Sequence, residues 1–333
     1  MATYAQPLSA SRMREVLGAI MAGQAPADEI RAFLVGLAER GETAEEIATA
    51  VEVLRAHAVP LPLASREDVC DTCGTGGDGQ GTVNVSTLAA LAAAAGGVRV
   101  AKHGNRAASS RCGSADLLEA LGWNLAATPG QVARSIDTLG FGFCFAPAFH
   151  PAMKAVAQVR KALGIRTLFN LVGPLANPAP LSFQLVGVSE ARLLRPMAEA
   201  LAQLGIRHGL VVHGTDGMDE ATTTGETLMC EVQHGRVTEG RFTPAEAGVP
   251  TAQPSALRGG EPAANARIAR DVLAGSGPPP IRDLVALNAG CALYVAGRSS
   301  AIADGVRLAQ ETLRSGRAAR LLEVAVRQSW EPV

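Results

Sequence analysis

The sequence predicts an α/β fold, a mostly parallel central sheet flanked by helices, with a small all-helical domain. Three observations lead there. The first 60 residues read as helices. From Val69 onward, short apolar runs alternate with helical stretches, the β-α-β rhythm of a parallel sheet. Four further helical patterns close the chain.

The elements follow in order. Pro26 fits a first helical position, and Ile30, Phe33, Leu34 and Leu37 then fall on one helical face. Thr43 and Glu46 form a capping box that opens a helix through about His57. Pro60, Pro62 and Ser65-Arg66-Glu67 read as a linker. Strands are expected at 69–73, 98–101, 142–146, 184–188 and 209–213. Helices are expected at 86–96, 114–122 and 130–138, with another ending at Gly205. Residues 227–233 and 236–242 suit a hairpin, and closing helices fall at 262–274, 280–296, 299–314 and 317–329. Gly173-Pro174 and Asn177-Pro178 interrupt the rhythm, so 164–180 reads as an excursion from the sheet domain.

A chain of 333 residues is long enough for two domains. With 47% hydrophobic and 18% charged residues it can bury a sizeable core, which excludes wholesale disorder. A net charge of −1 argues against nucleic acid as an electrostatic partner. The longest apolar run, 88–97, is mostly alanine and too short for a bilayer, so no membrane partner is expected. The N-terminus shows no basic segment followed by an apolar stretch, and a cytoplasmic protein is expected. Cys70 and Cys73 form a C-x-x-C pair without the second pair or nearby histidines of a zinc or redox motif. They read as small residues at the end of a buried strand.

The stretch D-T-C-G-T-G-G-D-G-Q-G-T-V-N-V-S-T, residues 71–87, raises the question of a ligand. Gly74, Gly76 and Gly79 match G-x-G-x-x-G, but a dinucleotide loop enters its helix directly and is followed by an acid on the next strand. Here the helix start waits until Ser86-Thr87, and Lys102 stands where the acid belongs. A helix start bearing hydroxyls suits an anion, though it also suits an ordinary cap. The segment 102–114 packs three cations, three serines and two glycines together, as a phosphate-wrapping loop or a solvated one would. Of 30 cations only three are lysines, and Lys102 beside the glycine loop is a point charge suited to phosphate. Asp216-Gly217-Met218-Asp219-Glu220 follows a strand. Carboxylates there suit magnesium in an α/β crevice, or form only a polar turn. Together the three segments describe a site for a phosphorylated ligand with Mg2+.

These stretches resemble the anthranilate phosphoribosyltransferase family. The matching motifs are G-T-G-G-D-G at 74–79, N-V-S-T at 84–87, K-H-G-N-R-A-A-S-S at 102–110 and G-S-A-D-L-L-E-A-L-G at 113–122. F-H-P-A-M at 149–153, V-R-K-A-L-G-I-R-T-L-F-N-L-V-G-P-L-A-N-P at 159–178 and G-M-D-E at 217–220 complete the match. The resemblance implies attack of anthranilate on C1 of phosphoribosyl pyrophosphate, in tryptophan biosynthesis, with release of pyrophosphate. It assigns phosphoribosyl pyrophosphate to Gly74, Gly77, Asp78, Thr82, Asn84, Val85, Ser86, Thr87, Lys102, His103, Gly104, Asn105, Arg106, Ala107, Ala108, Ser109, Ser110 and Ser114. It assigns anthranilate to Asn105 and Arg160, with Gly74, His103 and His150 lining the path. Mg2+ falls to Ser86, Asp219 and Glu220. No residue stands out as a covalent nucleophile. The resemblance further implies a homodimer, joined through a small helical domain of 1–66 plus about 164–182. The large α/β domain would comprise 67–163 and 183–333. Two readings stay open on the residues: a pyrimidine nucleoside phosphorylase, and a non-catalytic nucleic-acid-binding relative of the same fold.

Overall fold

Apolar spacing builds the first three helices. In α1 (Ala10–Met21), α2 (Ala27–Arg40) and α3 (Ala44–Ala56), the buried faces carry Met13, Leu17 and Ile20, then Ile30, Phe33, Leu34 and Leu37, then Ile47, Val51 and Leu54. The computed structural model describes residues 4–107 and 110–332. Pro26 is the cap of α2 and not its first residue. Its ψ is extended at 153°, and its carbonyl accepts the first intrahelical bond, from Ile30, at 3.0 Å. The Thr43–Glu46 capping box forms as expected.

Among the described residues seven strands make one sheet: β1 (Val69–Gly74), β2 (Arg99–Gly104), β3 (Phe141–Phe145), β4 (Phe183–Gly187), β5 (His208–Gly214), β6 (Thr227–Gln233) and β7 (Arg236–Phe242). Their order is β3-β2-β1-β4-β5-β6-β7. The first five are parallel, and β6 and β7 add an antiparallel hairpin along β5. The chain lays β2 and β3 on one side of β1, then β4 and β5 on the other. Such a reversal opens a crevice at the strands' carboxyl ends, where α/β sheets take ligands. Gly74 and Gly187 pair at that point.

Helices cover both faces. On one side lie α4 (Val85–Ala95), α5 (Ser114–Ala120), α11 (Pro262–Leu273), α12 (Pro279–Val295), α13 (Ile302–Arg314) and α14 (Arg317–Trp330), around a core that includes Leu88, Val100, Leu210 and Leu287. Alanine dominates α4 because nearly every side of it is buried. On the other side α10 (Leu194–Gln203) joins the N-terminal helices. There one apolar cluster runs from Phe33 and Val51 through Leu201 to Val186 and Val211. A smaller cluster under α6 (Pro129–Leu139) gathers Val132, Ile136 and Phe149. No helix among the described residues is long and apolar enough to cross a membrane.

Several boundaries differ from the sequence expectation. β2 continues past Ala101, because Lys102, His103 and Gly104 find ladder partners in Phe143, Cys144 and Phe145. Two of the expected loop's polar residues therefore belong to a strand. The helix placed at 86–96 opens on Val85 behind Asn84, and the one placed at 299–314 opens on Ile302. The short α7 (Ala146–Phe149) and α8 (Lys154–Leu163) have no counterpart in the sequence reading; in α8 only Val156 is buried, so the apolar signal is weak. Within 164–180 lies α9 (Leu168–Leu175), packed on α2 and α3. The last carbonyls of a helix lack partners within it. In α9 they are met from outside: His103 Nδ1 bonds Gly173 at 3.2 Å, Gln184 Nε2 bonds Pro174 at 2.8 Å and Arg55 Nη2 bonds Leu175 at 2.7 Å.

Candidate active site

The site grows from the turn between β1 and α4. Gly76, Gly77, Gly79 and Gly81 all hold positive φ, between 63° and 75°, a conformation that side chains resist. The second half of the turn is tied down by its neighbours. Thr82 bridges Arg258, and the Asn84 side chain joins the Cys112 carbonyl at 2.8 Å to Asn265 at 3.0 Å. Asn84 is thus a cross-tie as well as a helix entry. Val85 and Thr87 are buried, and the Thr87 hydroxyl has no hydrogen-bond partner among the described residues.

The carboxylates after β5 lean onto this turn. Asp219 Oδ2 accepts from the Gly76 N–H at 2.7 Å, and Glu220 Oε1 from the Ser86 N–H at 3.1 Å. Asp219 can come this close because the strand ends beneath it are bare. A Cβ on Gly74 would meet its carboxylate, with Cγ at 3.0 Å, and a Cβ on Gly187 would strike its carbonyl. Burial drives the Glu220 carboxyl up to about 8, with Asp78 adding to the rise and Lys102 opposing it. Burial, then Glu220 and Asp78, raise Asp219 as well. Acids raised by burial and by neighbouring carboxylates suit a cation, which would relieve both penalties. Among the described residues no three Cys, His, Asp or Glu side chains form a metal cage. Magnesium needs less, since it takes one or two carboxylates and completes its shell with waters and substrate phosphates. The donor set therefore fits Mg2+ with Asp219, Glu220 and the Ser86 hydroxyl.

Lys102 is buried in β2, where its ammonium donates to the His103 carbonyl at 3.0 Å and faces the charges of Asp71 and Glu220. Asp71, fully buried in β1, accepts from the His103 N–H at 3.2 Å and from Asn177 Nδ2 at 2.8 Å. Asn177 reaches the Ala101 carbonyl with the same amide nitrogen at 2.7 Å. The sequence reading gave Asp71 and Asn177 no role. An acid inside an otherwise uncharged strand is the available signal.

The loop after Gly104 is closed by one acid. Asp116 Oδ2 accepts from the N–H groups of Ala107 and Gly113, at 2.8 and 2.9 Å. Arg106 is drawn outward to Asp116 and Glu119, so its charge is already engaged. The Ser114 hydroxyl bonds the backbone of Asn105, and the Asn105 side chain accepts from the Arg106 N–H at 2.8 Å. Ser110 is exposed. Ala108 and Ser109 lie outside the described residues.

His103 and His150 meet edge to face with ring centroids 5.3 Å apart, and each has a buried Nε2 without a partner among the described residues. A carbonyl can only accept, so His103 carries its proton on Nδ1 toward Gly173. Burial holds the His103 pKa down at about 3 and lowers that of His150 too. Both shifts favour the neutral rings, and with its proton on Nδ1 His103 offers an Nε2 lone pair. Arg160, on α8, stacks over the Phe169 ring at 5.4 Å, and burial lowers its pKa. The two cysteines of the C-x-x-C pair are buried free thiols whose pKa burial raises far above the ordinary range. That agrees with their reading as strand residues.

Known proteins share this architecture. A family model described as glycosyl transferase family, a/b domain, matches residues 66–319, and one described as the helical bundle domain of that family matches 3–58. The anthranilate phosphoribosyltransferase of Rubrobacter xylanophilus is 50% identical over 98% of this chain and 95% of its own length. The crystal structure of anthranilate phosphoribosyltransferase from Thermus thermophilus superposes with a TM-score of 0.93 at 49% identity, covering 98% of this chain and 97% of that one. The Saccharomyces cerevisiae enzyme, solved in complex with PRPP and Mg, gives a TM-score of 0.88 at 29% identity, covering 97% of this chain and 93% of that one. On fold and near-complete alignment alike, the chain belongs to the anthranilate phosphoribosyltransferase family.

Proposed function

We propose that the crevice at the β1–β4 reversal holds phosphoribosyl pyrophosphate with Mg2+ and delivers its C1 to the amine of anthranilate. The observation that supports this most is Asp219, seated on the paired glycines Gly74 and Gly187 and bonded to the positive-φ turn. As a member of its family the chain is a pentosyltransferase of tryptophan biosynthesis.

An arylamine is neutral near pH 7 and needs no strong base, so the work lies in positioning and in stabilising the leaving group. The turn 74–82, with Asn84, Val85, Ser86 and Thr87, would present N–H groups and hydroxyls to the phosphates. Lys102, His103, Gly104 and the segment 105–110, with Ser114, would hold the donor. Asp219, Glu220 and Ser86 would hold Mg2+, which when bound offsets charge on the pyrophosphate. Arg160 would engage the anthranilate carboxylate through two donors. Asn105 would orient that substrate. The Nε2 of His103, without a partner among the described residues, would accept from the amine along the path past Gly74, which His150 would also line.

The helices of 1–66 and the segment 164–182 would form the smaller, dimer-forming domain, with 67–163 and 183–333 as the larger one. The separate family models for 3–58 and 66–319 support the first boundary. The protein would work in the cytoplasm as a homodimer. Anthranilate-dependent release of pyrophosphate tests the reading. Phosphoribosyl pyrophosphate with magnesium should also raise the melting temperature by mass action, whereas NAD should not. Cleavage of pyrimidine nucleosides by inorganic phosphate, with no anthranilate-dependent release, would replace it.

A further inference from the structure

Arg166 belongs to none of the substrate contacts assigned above. It lies in the turn between α8 and α9, yet its Nη1 reaches the glycine turn and donates to the Gly76 carbonyl at 2.7 Å. The Gly76 N–H is held by Asp219. Both polar groups of one flexible residue are therefore fixed, by side chains from two separate connections. Two further observations concern the same guanidinium. Among the described residues its buried Nη2 has no hydrogen-bond partner, a donor left over beside the turn. A Cβ on Gly77 would come within 2.5 Å of Nη1, so the missing side chain at 77 is what admits Arg166.

A turn with four glycines at positive φ has many unfolded alternatives, and ordering it on each binding event weakens affinity. A charged donor on the Gly76 carbonyl removes that cost in advance. We infer that Arg166 is a positioning residue that holds the glycine turn in its ligand-binding shape and couples it to the α8–α9 connection. The inference rests on the reading of this turn as the phosphoribosyl pyrophosphate site.

The test compares wild type with Arg166→Met, Arg166→Lys, Gly77→Ala and the Arg166→Met/Gly77→Ala pair. Arg166→Met should raise KM for phosphoribosyl pyrophosphate about tenfold or more, the worth of one hydrogen bond to a charged group. Its kcat at saturating donor should stay within about twofold, since the turn can still be ordered by ligand. Lysine keeps one donor and should restore part of the loss. Gly77→Ala expels the guanidinium, so adding it to Arg166→Met should cost far less than the product of the two single effects. In the ligand-free protein, amide exchange at 76–79 should quicken about tenfold in Arg166→Met, by the same hydrogen bond, with the sheet unchanged. An unchanged KM, a lysine no better than methionine, or fully multiplicative effects would each overturn the inference. A wild type that releases no pyrophosphate with anthranilate would instead remove the functional reading, while the exchange comparison would still judge Arg166.

Discussion

Gly187→Ala tests whether two bare strand ends set the position of the carboxylates. Gly187 does not hold positive φ, so alanine brings no backbone strain and the whole effect is collision. The new Cβ would strike the Asp219 carbonyl and lie 3.2 Å from the Glu220 nitrogen. Both are backbone atoms and cannot rotate aside, so the 219–220 turn must move by on the order of 1 Å. A misplacement of that size costs roughly a hundredfold in rate, or about 2.7 kcal/mol on the barrier. Overpacking should take about 1–3 kcal/mol from stability. Gly76→Ala is the comparison: its Cβ would meet no protein atom within 4 Å, so it brings the positive-φ penalty without the collision at 219–220. Pyrophosphate release at saturating substrates, read beside melting curves, decides the matter. Gly187→Ala should lose about two orders of magnitude in kcat and still fold, and Gly76→Ala should lose much less. Wild-type turnover in a folded Gly187→Ala protein would refute the argument.

Asp219→Asn combined with Glu220→Gln should lower turnover at least roughly a hundredfold, because charge on the leaving group goes unstabilised; normal turnover in the folded variant would remove the metal assignment. Arg160→Ala should weaken anthranilate and spare phosphoribosyl pyrophosphate, as calorimetry of each ligand can show; the opposite pattern would reverse the role given to Arg160. Glu46, buried in α3, bonds Arg40 and the N–H groups of Leu8 and Thr43. Burial pushes its carboxyl up, but these partners outweigh it and hold the folded pKa below the usual 4.5. Its stabilisation is therefore present above that value and lost as pH falls through the lower folded pKa. Glu46→Ala should cost about 3–5 kcal/mol at pH 7 by stranding Arg40, and denaturant curves taken down the acid limb should show a shallower fall than wild type.

Much of the fold was legible because its signals are local. Thr43 and Glu46 are three residues apart and cap the same turn. The β-α-β rhythm needs only the alternation of apolar runs, and the parallel strands fall where it puts them. Boundaries shifted where a distant partner decided them. Lys102 and His103 read as loop residues until β3 supplies a ladder for their backbone. Cys70 and Cys73 needed no partner to be read as strand residues, because small apolar side chains at a strand end are favoured whatever lies across the sheet.

The site divides along the same line. Glycines at 76, 77, 79 and 81 declare by themselves a turn that side chains resist, because positive φ is a property of one residue. The acids at 219 and 220 declare a possible cation site through their charge alone. That these two segments touch is a matter of strand order, which places β1 beside β4 and brings the β5 turn over Gly74 and Gly187. The roles of Gly187, Asp71, Asn177 and Arg166 arise from contacts across many residues of chain: 32 between Gly187 and Asp219, 106 between Asp71 and Asn177 and 90 between Gly76 and Arg166. Sequence alone determined which residues could do the chemistry, since charge, hydroxyls and backbone freedom are intrinsic. Only the tertiary structure decided which of them meet, because packing free energy summed over the whole core selects the strand order, and no local window contains it.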